Sequence, residues 1–146
     1  MALKGTRTEE NLRAAFAAEA QTNRRYLYFA QQADIEGDTD AAELYRAAAE
    51  AETGHAFGHL EFLEKIGDVT TGKALGTTKL NLEAALALER AEADQTYPEM
   101  ARIAREEGLD DVAAWFESLA RVENAHAQRI ERLLSALVKR HPDPHI

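Results

Sequence analysis

No cysteine occurs in the 146 residues. That excludes disulfides, thiolate nucleophiles, zinc knuckles and iron–sulfur clusters held by cysteine, and it fits a reducing compartment. Proline is nearly absent, with three, and the eight glycines are few enough to leave room for long helices. The β-branched residues that favour strands are scarce. Residues 1–7, Met-Ala-Leu-Lys-Gly-Thr-Arg, lack the apolar core of a signal peptide. No apolar run approaches the roughly 20 residues that cross a bilayer. The expectation is a soluble cytoplasmic protein without a membrane partner. An excess of basic charge is missing too: 17 Lys and Arg stand against 26 Asp and Glu, a formal net charge of −9. That argues against nucleic acid as the main partner. What remains abundant is Ala, Leu, Glu and Arg, all strong helix formers, so the chain reads as all-α.

Four long helical segments are expected, over about 8–36, 39–66, 79–107 and 110–139. Thr6 and Thr8 are candidate N-caps; Gly37, Gly67, Gly108 and Pro142 are the stop signals. Gly37-Asp38 and Gly108-Leu109 suit tight antiparallel hairpins. The middle link, 67–78, is longer and rich in Gly and Thr. A helix of about 27 residues is about 40 Å long, and about twelve extended residues span about 40 Å at most. The link therefore just crosses the length of a bundle. This predicts a ferritin-like four-helix bundle with a long connection between helices two and three, formed by a single domain over 1–146 with a short flexible tail from about 141. The same link also permits exchange of hairpins between two subunits.

An internal repeat organises the chain. At an offset of 71, Tyr26 matches Tyr97, Ala30 matches Ala101, Ala33 matches Ala104 and Glu36 matches Glu107. Gly37 matches Gly108, Asp40 matches Asp111, Tyr45 matches Phe116, Glu52 matches Glu123 and His55 matches His126. Two similar hairpins imply a pseudo-twofold arrangement with a site where the halves face each other.

Each half carries a Glu-x-x-His motif, Glu52 to His55 and Glu123 to His126. A spacing of three puts a carboxylate and an imidazole on one helix face, where both can converge on one cation. The companion helices supply Glu19, and Glu89 with Glu92, each among mainly apolar neighbours. A lone buried carboxylate is costly or becomes protonated. Five carboxylates and two histidines around two divalent cations nearly balance in charge. The plainer alternative puts these carboxylates on solvated faces of a structural helical bundle that holds no metal, with two ordinary core histidines.

The stretches 18–26, Ala-Glu-Ala-Gln-Thr-Asn-Arg-Arg-Tyr, then Glu52 to His55, then 97–108, Tyr-Pro-Glu-Met-Ala-Arg-Ile-Ala-Arg-Glu-Glu-Gly, and Glu123 to His126 resemble the di-iron domain of rubrerythrins over nearly the whole chain. The resemblance implies that Glu19, Glu52, His55, Glu89, Glu92, Glu123 and His126 hold two iron ions, with Mn or Zn acceptable to the same ligands. It implies a peroxidase that reduces hydrogen peroxide to water. Glu92 separates this reading from ferritins, which usually lack that carboxylate. By resemblance, Glu92 binds one iron in the oxidised state and His55 takes its place in the reduced state. Tyr26 and Tyr97 are expected beside the site, hydrogen-bonded to ligand carboxylates or to peroxide, or else as core aromatics. His59 is read as a neighbour of the ligands or a packing residue; His141 and His145 lie in the tail. Trp115 and Phe116 are assigned to the core or to a subunit interface. Gly54 and Gly58, unusual inside a helix, are read as packing positions, or as room for His55 to move.

Rubrerythrins commonly carry a four-cysteine rubredoxin domain, for which this sequence has no residues. Electrons for the peroxidase are therefore expected from a separate donor protein or from a neighbouring site across an interface. A homodimer is expected, with or without exchange of hairpins. The alternative function is a ferroxidase or iron-handling protein, in which iron is the substrate. One irregularity stands out. Glu19 precedes Tyr26 by seven residues but Glu89 precedes Tyr97 by eight, which predicts a π-bulge between Glu89 and Tyr97, helped by Pro98.

Overall fold

A computed structural model describes residues 2–140; the expected tail, with His141, Pro142 and His145, lies outside them. The helices are α1 (Arg7–Glu36), α2 (Thr39–Leu63), α3 (Thr78–Ala91), a π-helical turn (Glu92–Thr96), α4 (Tyr97–Glu106) and α5 (Asp110–Arg140). Among the described residues there is no strand. Four long helical segments are thus present, the third interrupted by the expected π turn. No helix is long and apolar enough to cross a membrane among the described residues.

The caps explain the boundaries. Thr6, not Thr8, caps α1: its hydroxyl accepts from the Glu9 N–H at 3.1 Å, and the Glu9 carboxylate accepts from the Gly5 N–H at 2.6 Å. Gly37, at φ 79°, ends α1 in the left-handed region that glycine tolerates. The Asp38 side chain then accepts from the Ala41 N–H and starts α2. The helix α2 stops at Leu63, three residues short of expectation. There the Ile66 and Gly67 N–H groups both donate to the Leu63 carbonyl, which closes the chain into a turn. Thr77 caps α3 by accepting from the Leu80 N–H.

The chain divides into two compact units, Met1–Val69 and Thr70–Ile146. In the first, α1 packs on α2 along a heptad seam. Leu12, Phe16, Glu19, Asn23, Tyr26, Ala30 and Ala33 of α1 alternate by four and three, and all are buried or half-buried. Ala42, Tyr45, Ala49, Glu52, Ala56, His59 and Leu63 of α2 follow the same rhythm. This is the spacing of knobs-into-holes packing, and the small alanines bring the backbones close. Asn23 Nδ2 uses that closeness, donating to the Ala49 carbonyl at 2.7 Å and to the Thr53 hydroxyl at 3.0 Å. Tyr26, Phe29 and Tyr45 close the far end with ring centroids 5.5–6.3 Å apart.

In the second unit the α5 seam runs Ala113, Phe116, Ala120, Glu123, Ala127, Ile130 and Leu134, again by three and four. Its companion seam runs Leu82, Leu86, Glu89, Ala93, Tyr97, Ala101 and Ala104. Here the step from Ala93 to Tyr97 is four where the step from Asn23 to Tyr26 is three. The π turn absorbs that residue: the Tyr97 N–H donates to the carbonyl of Glu92, five residues back. Pro98 has no N–H to continue a regular ladder through this turn.

Candidate metal centre

The seams put a carboxylate from each helix of a hairpin on the contact line, and Glu-x-x-His spacing places the imidazole beside it. In the first hairpin His55 Nδ1 lies 3.5 Å from Glu19 Oε1 and 3.4 Å from Glu52 Oε2. In the second, His126 Nδ1 lies 3.1 Å from Glu123 Oε2 and 3.4 Å from Glu89 Oε2. Each set, Glu19–Glu52–His55 and Glu89–Glu123–His126, has its ligand atoms within 4.8 Å of one another. The carboxylates are half-buried and the imidazoles exposed.

The donor set fits a divalent cation. Glu89 Oε2 is shielded from water and has no hydrogen-bond partner, an arrangement that costs stability unless a proton or a cation satisfies it. Burial, with the Glu123 carboxylate facing it, pushes the Glu89 carboxyl up to about 7; His126 opposes this only in part. Two carboxylates and one neutral imidazole offer one cation two negative charges and three oxygen or nitrogen donors. That composition suits Fe, Mn or Zn.

Glu92 sits on the π turn outside the three-residue cluster. It is half-buried, and burial followed by the Glu123 charge raises its pKa. The bulge thus leaves a further carboxylate near the second cluster, without a counterpart in the first. Tyr97 belongs to the same electrostatic neighbourhood: burial, then Glu92, Glu123 and Glu89, all raise its phenol pKa. Its ring stacks on Phe116 with centroids 6.1 Å apart.

Among the described residues neither Tyr26 nor Tyr97 hydrogen-bonds a ligand carboxylate. Tyr26 is held in its aromatic cluster with Phe29 and Tyr45, and Tyr97 in its stack. A Cβ added at Gly54 or Gly58 meets nothing within 4 Å, so packing within this hairpin does not explain either glycine. Trp115 is 61% exposed and not a core residue of its hairpin, whereas Phe116 lies on the seam. Asn23 gains a role that its residue type alone did not give, and His59 stands beside a ligand, one of the two places expected for it. Asn23 ties α1 to α2 one turn after Glu19, and its place in the four-three spacing is the signal that marks it. His59 contacts Glu19 directly, with Nε2 at 2.6 Å from Oε2.

An all-α chain with a carboxylate–histidine cluster in each of two related helical hairpins falls in the class of ferritin-like carboxylate metalloproteins. The sequence profile of the rubrerythrin family matches residues 10–134. Among curated proteins, rubrerythrin of Nitratidesulfovibrio vulgaris is 40% identical over 132 residues, covering 87% of this chain and 69% of that protein. Rubrerythrin of Porphyromonas gingivalis is 39% identical, covering 91% and 68%. Rubrerythrin-1 of Clostridium acetobutylicum is 38% identical, covering 90% and 72%. The chain belongs to the rubrerythrin family, and its fold class is the all-α, ferritin-like one expected from the sequence.

Proposed function

We propose that the chain is a non-haem di-iron peroxidase that reduces hydrogen peroxide to water. The observation that carries this reading is the pairing of two Glu-x-x-His clusters with a further carboxylate, Glu92, in a member of the rubrerythrin family. One metal would be held by Glu19, Glu52 and His55. The other would be held by Glu89, Glu123 and His126. Glu92 would bind one of the two irons in the oxidised state, with His55 taking its place in the reduced state. When bound, two ferrous ions supply the two electrons that peroxide needs, one each.

The residues do the rest. Reduction of one peroxide to two waters consumes two protons. Glu92, raised by burial and by Glu123, is a carboxyl suited to holding a proton beside the second cluster. Tyr97, whose phenol pKa is raised by burial and then by the surrounding carboxylates, is a second donor on the same side. Tyr26 is its repeat-related counterpart in the first half. The 146 residues contain no cysteine, so the electron donor that restores the ferrous state lies outside them. The working unit is a single domain over 1–146, acting in the cytoplasm as a homodimer, with exchange of hairpins open to it.

Metal analysis combined with anaerobic peroxide titration of the reduced protein tests the reading. Two irons per chain and consumption of one peroxide per two irons support it. A metal content near zero leaves a structural bundle. A reduced centre that reacts no faster with peroxide than with dioxygen, in particles that accumulate iron, makes the protein a ferroxidase.

A further inference from the structure

The two hairpins differ at one seam position beside the metal ligands. At the repeat offset of 71, His59 of α2 corresponds to Ile130 of α5. Ile130 is what a heptad seam calls for. His59 puts a polar ring on the same line, one turn after His55, and its side chain is only 26% exposed. A half-buried imidazole on an apolar seam is unfavourable unless it is hydrogen-bonded, and it has one close partner: Nε2 lies 2.6 Å from Glu19 Oε2. The other oxygen of that carboxylate, Oε1, is the one turned to His55 Nδ1 at 3.5 Å.

We propose that His59 is a positioning residue for Glu19. It donates from Nε2 to Oε2, which leaves Oε1 as the single oxygen presented to the cation at the first cluster. This rests on the di-metal reading above and adds to it. The second half reaches a different solution: Ile130 offers no donor, and Glu89 Oε2 accepts no hydrogen bond, with His126 Nδ1 3.4 Å away. The first site is therefore built around a one-oxygen carboxylate fixed from behind. The second keeps Glu89 free of such a tether, beside the additional Glu92. The asymmetry that the π turn introduces in one hairpin is matched by a seam histidine in the other.

His59 is not itself placed as a ligand. Its near nitrogen is engaged by the oxygen that faces away from His55, and it stands outside the set whose ligand atoms lie within 4.8 Å of one another. Outer partners of this kind hold ligand orientation, and their loss typically weakens metal binding by roughly 10- to 100-fold.

The test uses the full chain with Co²⁺ as a spectroscopic probe, titrated into wild type, His59→Leu and His59→Gln with folding checked by circular dichroism. Leucine restores the apolar seam without a donor; glutamine keeps an N–H donor of similar reach. The expected result is that His59→Leu stays folded and still fills one site like wild type. Its other site binds Co²⁺ at least tenfold more weakly, with an altered visible spectrum, and His59→Gln recovers most of the affinity. Equal binding in all three proteins overturns the positioning role. Equal loss in both variants overturns it as well, because it makes the imidazole ring itself the requirement. Absence of Co²⁺ binding in wild type would instead remove the di-metal reading, so the two failures are distinguishable.

Discussion

Burial and the facing Glu123 carboxylate set the behaviour of Glu89 before any metal arrives. In the metal-free fold its carboxyl titrates near 7, against 4.5 for the free group. Between those values the folded state holds a proton that the unfolded state has released, so stability falls as pH rises from about 4.5 to about 7 and then levels off. Glu89→Gln removes this contribution. The metal-free variant should lose markedly less Tm between pH 5 and pH 8 than metal-free wild type, with a difference of a few degrees. Parallel Tm profiles would show that Glu89 is not the group under strain. Glu92 carries a separate expectation. Glu92→Ala should retain two metals, because it lies outside the three-residue cluster, yet react with peroxide roughly tenfold more slowly in the diferrous form. Stopped-flow absorbance measures this directly, and an unchanged rate would remove Glu92 from the chemistry. At this scale the sequence was informative wherever chemistry is tied to spacing. Glu52 with His55, and Glu123 with His126, are three apart and therefore adjacent on any helix. It was uninformative about where side-chain tips go. The phenols of Tyr26 and Tyr97 were expected on carboxylates or peroxide, or else in the core; the rings lie against Phe29 and Tyr45, and against Phe116, contacts that residue type leaves undecided.

The helices show why the larger elements were easier to read. Caps and stops are local: Thr6, Asp38 and Thr77 each accept from an N–H three residues on, and Gly37 and Gly108 supply positive φ. The early end of α2 at Leu63 was harder to anticipate, because no breaker lies between Leu63 and Gly67 and the end depends on which N–H groups compete for one carbonyl. The π turn was legible only because the chain repeats itself. A single helix with eight residues between Glu89 and Tyr97 looks ordinary; beside the seven between Glu19 and Tyr26 it has one residue too many. That comparison gives the turn a test. Deleting Gln95 makes the step from Ala93 to Tyr97 three, as in the first hairpin, and lets an unbroken ladder form. Glu89 stays on the seam, so two metals should still bind. Glu92 loses the bulge that carries it, and peroxide reactivity should fall as far as in Glu92→Ala. A deletion variant with full peroxide reactivity would mean the bulge is incidental; one that binds a single metal would mean it positions Glu89 instead.

For the whole molecule, the question is what covers the apolar side chains that neither hairpin buries. Ile35 is 79% exposed, Tyr28 71%, Leu44 67%, Phe62 65%, Phe57 62% and Trp115 61%. Among the described residues of each hairpin the fully enclosed ones are almost all alanines, with Leu63 the one large exception. A core of that kind supplies little burial per residue, since alanine removes far less apolar area from water than leucine or phenylalanine. The exposed large residues leave further apolar area that association can cover. A homodimer is the proposed form, and Trp115 is well placed to report on it because it is the only tryptophan. If Trp115 lies in the dimer interface, its emission should shift to the red on dilution. The midpoint should match the concentration at which sedimentation equilibrium changes from two chains to one. Trp115→Ala should raise that concentration by an order of magnitude or more, since tryptophans in interface centres typically contribute at least ~2 kcal/mol. A dimer whose tryptophan emission is constant across dissociation would put Trp115 outside the interface and leave the covering role to the other exposed apolar residues.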